Sequence, residues 1–335
     1  MHQISRLTKK RGFTVFQAFF VTILWSSSWP IIKFGLEAIP PLIFAGMRYI
    51  VASAILLIYV FSFSKYRYEI KNLSVRWWSK LVFYGVIFYS ITQGAQFLGL
   101  QYLPAITVSL LLSFTPIIVL FFANTLLKEK SNVVQILLVI VALGGALLYF
   151  LLSPELTSTQ FNMVSGYMQL FISSSDSIPL NLRILGLIIV IVGVLANAFS
   201  AIIGRSINQS KEVSSVVITS VSMFIGSVIL LISGLIVEGI PRLSPVSIGY
   251  ILWLSIVNTA LAFTLWNHAM QKLRAVEISI INNTMLFQIT ILAVIFLAER
   301  PSGFQWIGLI VVAISGLILP LFKTKKDKTV TVVQE

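Results

Sequence analysis

Cysteine is absent from the 335 residues, so neither disulfides nor thiolate metal sites are available to this chain. Acid is scarce as well, with 11 acidic against 24 basic residues. The only aspartates are Asp176 and Asp327, and both lie outside the apolar runs. Glu37, Glu129, Glu212, Glu238, Glu277 and Glu299 fall near the ends of those runs. A carboxylate at mid-run is therefore lacking, which argues against a buried carboxylate proton relay and against a bulky cationic substrate. There is no metal-ligand cluster, close carboxylate pair, nucleophile elbow or phosphate-binding loop. No polar segment is long enough to fold as a nucleotide-binding domain. These absences set the expectation of a non-enzyme with no cofactor and no metal, not driven directly by ATP.

What is present is apolar. The hydrophobic fraction is 57% and charged residues make up 10%, with a mean hydropathy of +0.95. A soluble core cannot hide that much apolar surface, so the solvent for most of the chain is lipid. Apolar runs recur near 15–36, 42–63, 80–100, 103–126, 132–152, 184–204, 214–237, 247–268, 275–298 and 304–322. Each is long enough to cross about 30 Å of hydrocarbon. Irregular backbone exposed to lipid leaves polar groups unpaired, so ten transmembrane helices are expected. The first run follows a short basic stretch (Arg6, Lys9, Lys10, Arg11). It is too long for a signal peptide and lacks a small-residue cleavage site, so it reads as a retained helix.

The net charge of +13 is a matter of topology. With the N-terminus in the cytoplasm, the cytoplasmic segments hold nineteen Lys and Arg, and the opposite segments hold Arg183, Arg242 and Arg300. The positive-inside rule then sets both termini in the cytoplasm. Lipid headgroups are the expected partner of this charge, and nucleic acid is not.

The chain also repeats itself. Shifted by 170 residues, Gln101, Leu103, Ala105 and Ser109 meet Gln271, Leu273, Ala275 and Ser279. Ala123, Leu127, Glu129 and Gln135 meet Ala293, Leu297, Glu299 and Gln305. Five helices per half is an odd number, so the second half enters the membrane the other way up. The predicted fold is all-α: ten transmembrane helices in two inverted repeats of five. The first repeat occupies 1–152 and the second 184–322. Between them lies an extracytoplasmic insertion, 153–183, whose run Phe161–Ile172 reads as an interfacial helix or a mobile linker. A basic tail, 323–335, closes the chain.

Local motifs carry a resemblance. Leu24-Trp25-Ser26-Ser27-Ser28-Trp29-Pro30 is followed by Pro40-Pro41-Leu42 and Ala45-Gly46-Met47-Arg48-Tyr49. Gln101-Tyr102-Leu103-Pro104-Ala105, Thr115-Pro116-Ile117 and Lys128-Glu129-Lys130 complete the first half. Leu297-Ala298-Glu299-Arg300 and Gln305-Trp306-Ile307-Gly308 mark the second. In order and spacing these resemble the EamA-type branch of the drug/metabolite transporter superfamily. The resemblance implies a central cavity lined mainly by helices 1, 3, 4, 6, 8 and 9, and transport of small metabolites. One departure is Leu286, which stands where the family usually has a proline matching Pro116. The ninth helix is then either straighter or unwound with the help of Asn282 and Asn283.

Polar groups at mid-depth in lipid are costly and are candidates for binding. The candidate substrate contacts are Trp25, Ser28, Gln93, Gln96, Thr115, Asn197, Asn258 and Asn283. Interhelical hydrogen bonding is the plain alternative for each. Pro30, Arg48, Pro116, Glu129 and Glu299 are read as gating or structural. Arg48 is expected to pair with Glu37 or to snorkel outward, with a substrate carboxylate as the other option. His268 reads as a hydrogen-bonded interfacial residue. The expected function is a secondary transporter of the plasma membrane, moving a neutral or zwitterionic amino-acid-like metabolite by alternating access, in the export direction. A non-transporting receptor or scaffold, or a passive channel, is the alternative. A small-molecule substrate and the bilayer are the expected partners, with room for a homodimer.

Overall fold

The computed structural model describes residues 2–103, 132–151, 179–296 and 302–318, together with 108, 111, 112, 114, 115, 118, 119 and 122. Pro116, Glu129, Glu299, the tail and most of the 153–183 insertion lie outside the described residues. Every regular element among those described is helical. They are α1 (His2–Leu36), α2 (Pro41–Ser62) and α3 (Ser64–Lys71), then α4 (Val75–Tyr102) and α5 (Val133–Leu151). The second half holds α6 (Leu180–Gln209), α7 (Ser215–Glu238), α8 (Pro245–Met270), α9 (Ala275–Asn283), α10 (Met285–Phe296) and α11 (Gly303–Ile318). Seven helical stretches are long and apolar enough to cross a membrane, with α9 and α10 together supplying one of them. Val133–Leu148 and Gly303–Ser315 are apolar but shorter.

Two details depart from the sequence reading. α1 begins at His2, because nothing before Gly12 interrupts a run of good helix formers such as Lys and Arg. α3 is a short helix in the loop after α2, without a buried residue. It is placed by Tyr66 and Ile70, half-buried against the core, and by Glu69, which accepts from the Ser214 N–H that opens α7.

α2 and α7 form the central antiparallel pair. Gly46 and Gly234 let them close. A Cβ at Gly46 would stand 2.7 Å from the Leu231 Cα, and one at Gly234 2.9 Å from the Ile43 N. At the other end of the pair from Glu69, Glu238 accepts from the Leu42 and Ile43 N–H groups, each at 3.0 Å. Pro41 opens α2 and has no N–H of its own, so this one carboxylate serves the first two donors of the helix. Each helix of the pair thus has its N-terminus held by a glutamate found at or beyond the C-terminus of the other. α4 packs on α6 and α7, and α8 packs on α1 and α2. α5 packs on α11, where Gly145 abuts the Gly308 carbonyl.

The offset of 170 residues relates local features as well as letters. Ser74 caps α4 by accepting from the Trp77 N–H, and Ser244 caps α8 by accepting from the Ser247 N–H. Gln135 Oε1 accepts from the Asn132 N–H, and Gln305 Oε1 from the Ser302 N–H. α4 contains a π-helical stretch at Gly85–Thr92, and α8 one at Ile256–Leu261. Within these stretches, at positions that do not match under the offset, Thr92 donates to the Ile87 carbonyl and Thr259 to the Leu254 carbonyl, each five residues back. The largest buried cluster joins Tyr49, Tyr84, Phe88, Tyr89 and Phe263 between these helices. Ile188, Ile191, Leu195 and Ile232 face outward, as lipid-facing side chains do.

Candidate functional site

Bundle cores must satisfy their polar groups internally, and most of the hydroxyls here do so by bonding back into their own helix. Ser28 donates to the Trp25 carbonyl, Ser53 to Ile50 and Ser227 to Phe224. The larger amides cannot fold back so easily, and they gather in two places.

The first is a cavity of about 160 Å³ at the middle of the bundle. Its described walls come from α1, α2, α4, α6, α8, α9 and α10, with Leu112 and Thr115 between α4 and α5. Part of the lining is aromatic. Trp25 lies 4.8 Å from the Phe263 ring and 4.7 Å from Trp266, and Phe88 lies 5.4 Å from Phe263. Amides line it as well. Gln93 accepts from the Tyr49 hydroxyl at 2.6 Å, which leaves the NH2 half of its amide for a ligand. Asn197 donates to Thr115 Oγ1 at 3.3 Å. Gln96, Asn282 and Asn283 are the other amides of the lining.

Asn282 and Asn283 sit where α9 ends. Thr284 interrupts the helix, donating its hydroxyl to the Ile281 carbonyl at 2.7 Å, and α10 resumes at Met285. The break is held from α1. Ser26 donates to Gln288 Oε1 and Gln288 donates to Thr22 Oγ1, both at 2.9 Å. The ninth helix is therefore interrupted without a proline, by hydroxyl and amide bonding. Pro30, by contrast, lies inside α1, which stays helical past it to Leu36.

Arg48 is 3% exposed and lines the cavity. It neither snorkels nor reaches Glu37. Its Nε donates to Thr259 Oγ1 at 2.6 Å and its Nη2 to the Asn258 carbonyl at 3.2 Å. The guanidinium carbon stands 5.3 Å from the Tyr49 ring centre. Ser255 fixes its backbone by donating to the Arg48 carbonyl at 2.8 Å.

Seven of the eight candidate contacts therefore share one cavity wall: Trp25, Ser28, Gln93, Gln96, Thr115, Asn197 and Asn283. Asn258 is not among the lining residues. It is fully buried against α1, where its amide donates to the Leu24 carbonyl and to Ser27 Oγ at 2.9 Å. The sequence reading did not anticipate Tyr49, Tyr84 or Trp266 on the wall, because an aromatic in an apolar run looks like any lipid-facing one.

The second gathering is fully enclosed. Asn267 donates to Thr219 Oγ1 at 2.7 Å and accepts from the Asn208 amide at 3.1 Å, which ties α6, α7 and α8 together. His268 lies beside it in sequence and shares a hydrogen bond with Gln17 of α1, Nδ1 to Nε2 at 3.0 Å. No group of three or more metal-ligating side chains occurs among the described residues.

A model of the EamA-like transporter family matches residues 12–151 and, separately, 184–321. The uncharacterized transporter YoaV of Bacillus subtilis is 24% identical over 266 residues, spanning 77% of this chain and 80% of that protein. An uncharacterized transporter of Archaeoglobus fulgidus is 22% identical over 304 residues, spanning 90% of this chain and 94% of its own length. A solved crystal structure matches the fold with a TM-score of 0.67 at 14% identity, over 93% of this chain and 96% of that one.

Proposed function

The chain belongs to the EamA-like transporter family and is a multi-pass integral membrane protein, and from that premise we propose how it transports. It is a secondary carrier of the plasma membrane that moves a small neutral or zwitterionic, amino-acid-like metabolite through the central cavity by alternating access, in the export direction. Ten helices in two inverted repeats, with both termini in the cytoplasm, supply the moving halves. The two separate family matches support the repeat reading, as do the caps and π-helical stretches that recur at one offset.

The observation that carries this reading is the cavity wall itself. Helices from both halves of the chain meet around it, with amides and aromatic rings in its wall and no acidic residue among the described lining. Such a wall offers donors, acceptors and stacking surface to a polar molecule without a strong cation site. Size narrows the substrate further. Pockets that take drug-sized ligands enclose about 300–1,000 Å³, and an apolar cavity of about 150 Å³ holds benzene. A space of about 160 Å³ is the size of an amino acid and small for a multi-ring drug.

Counterflow of labelled amino acids into proteoliposomes tests the proposal. Saturable exchange is expected in the wild type. Removing one neutral hydrogen-bonding partner of the ligand, in Gln93→Ala or Asn283→Ala, should lower it by about tenfold. Flux that rises without saturation, or exchange indifferent to both substitutions, sinks the reading.

A further inference from the structure

Among the described residues that line the cavity, Arg48 is the only one with a formal charge. A permanent cation inside a membrane bundle is costly, and it is commonly retained with a counter-ion. Here its hydrogen-bonding partners are a hydroxyl and a backbone carbonyl, both neutral. As glue between α2 and α8, a neutral donor would carry no charge into the bundle and so would cost less. The charge is what that structural role leaves unexplained. A guanidinium also has five N–H donors in a planar fork, and two of the five are engaged. Its mount is rigid, with Tyr49 against it and Ser255 holding its backbone.

We propose that Arg48 is the specificity-determining residue of the carrier and binds the carboxylate of the substrate, so that the transported molecule is an amino acid or similar zwitterion with a free carboxylate and not its amide or amine. This rests on the cavity reading above. A carboxylate matches the fork in two parallel charge-assisted hydrogen bonds and supplies the negative charge the wall lacks. The Gln93 and Gln96 amides, which line the same cavity, remain for the polar remainder of the ligand, and the aromatic rings of the lining for its apolar part. Arg48 donates to Asn258 and Thr259, both within the π-helical stretch of α8, so the anion is read at a residue joined to that irregular segment.

The test compares each acid with its own amide on purified protein, following the fluorescence of the cavity tryptophans or the heat of binding. L-leucine is set against L-leucinamide, and phenylacetate against phenylacetamide. The wild type should bind each acid about 10- to 100-fold more tightly than its amide, the span expected of one or two charge-assisted hydrogen bonds. Arg48→Gln should collapse that ratio to near one while leaving the affinity for the amide unchanged. Arg48→Lys should keep part of it, because it retains the charge but loses the fork. A merely structural arginine would weaken acid and amide together.

Equal wild-type affinities for acid and amide overturn the proposal even if Arg48→Gln fails to fold. So does a ratio that survives in Arg48→Gln, or the absence of binding by both acids. The two readings separate through Gln93→Ala. If that substitution weakens acid and amide alike while the wild type does not discriminate between them, the cavity stands and the role of Arg48 falls. If saturable transport persists unchanged in both Gln93→Ala and Arg48→Gln, the cavity reading falls with it.

Discussion

Depth and direction are separate properties of a side chain in a membrane helix, and Asn258 and Gln93 show the difference. Both lie near the middle of a long apolar run, yet Gln93 lines the cavity and Asn258 is buried against the carbonyl of Leu24. Depth is legible in the sequence, because counting inward from the charged ends gives it. Direction is not, because a helix that is apolar all round carries no stripe to mark the inner face. The partners of Arg48 are illegible for a related reason: Thr259 and the Asn258 carbonyl lie some 210 residues away along the chain. Asn267 is the residue whose loss should be felt most in stability. In Asn267→Leu, the buried Asn208 amide and Thr219 hydroxyl each lose a partner. An unsatisfied buried polar group costs about 1–3 kcal/mol, so thermal unfolding in detergent should show a clear fall. Asn267→Gln, which keeps the amide chemistry, should be milder.

Among the elements, the apolar runs fixed most helices to within a few residues, because in lipid a run of that length has no alternative to a helix. Two kinds of element escaped that reading. α3 is mostly polar, with only Tyr66 and Ile70 packed against the core. The π-helical stretches carry hydroxyls that bond five residues back, and threonine inside an apolar run predicts nothing by itself. For the ninth helix the sequence left two options open, and the chain takes the interrupted one, beside Asn282 and Asn283. The termini of α2 and α7 rest on glutamates that the sequence shows only as charges near run ends. Glu238→Ala should therefore leave the Leu42 and Ile43 N–H groups unpaired at the start of α2. A loss of about 1–3 kcal/mol is expected, read as reduced thermal stability, with the acid–amide preference of the cavity intact. Gly249→Ala is the matching control. Nothing lies within 4 Å of a Cβ built there, so no loss is expected, and helix propensity favours a small gain.

At the scale of the molecule, the repeat was visible as eight matching letters in 35 positions, and the structure adds paired serine caps, glutamine caps and π-helical stretches at the same offset. The proposed orientation is open to direct measurement, because a chain without cysteine is already a clean background for single-cysteine labelling. An impermeant maleimide added to intact cells should label Arg242→Cys at once and Arg67→Cys only after permeabilisation. The reverse pattern would invert the topology. The π-helical stretch in α4 also sets the phase of the helix. Tyr84 and Gln93 are nine residues apart, and at about 100° per residue an unbroken α-helix would turn them about 180° from each other. Both nevertheless face the same cavity. One residue taken up by the wider turn brings the angle to about 80°. The polar stripe of α4 is therefore a product of counting. Shortened by one residue between Tyr84 and Gln93, the stretch could run as an ordinary α-helix of eight steps, about 80°, with Gln93 still toward the cavity. With all nine residues kept and the wider turn closed, Gln93 and Gln96 would instead be carried around to a different neighbour.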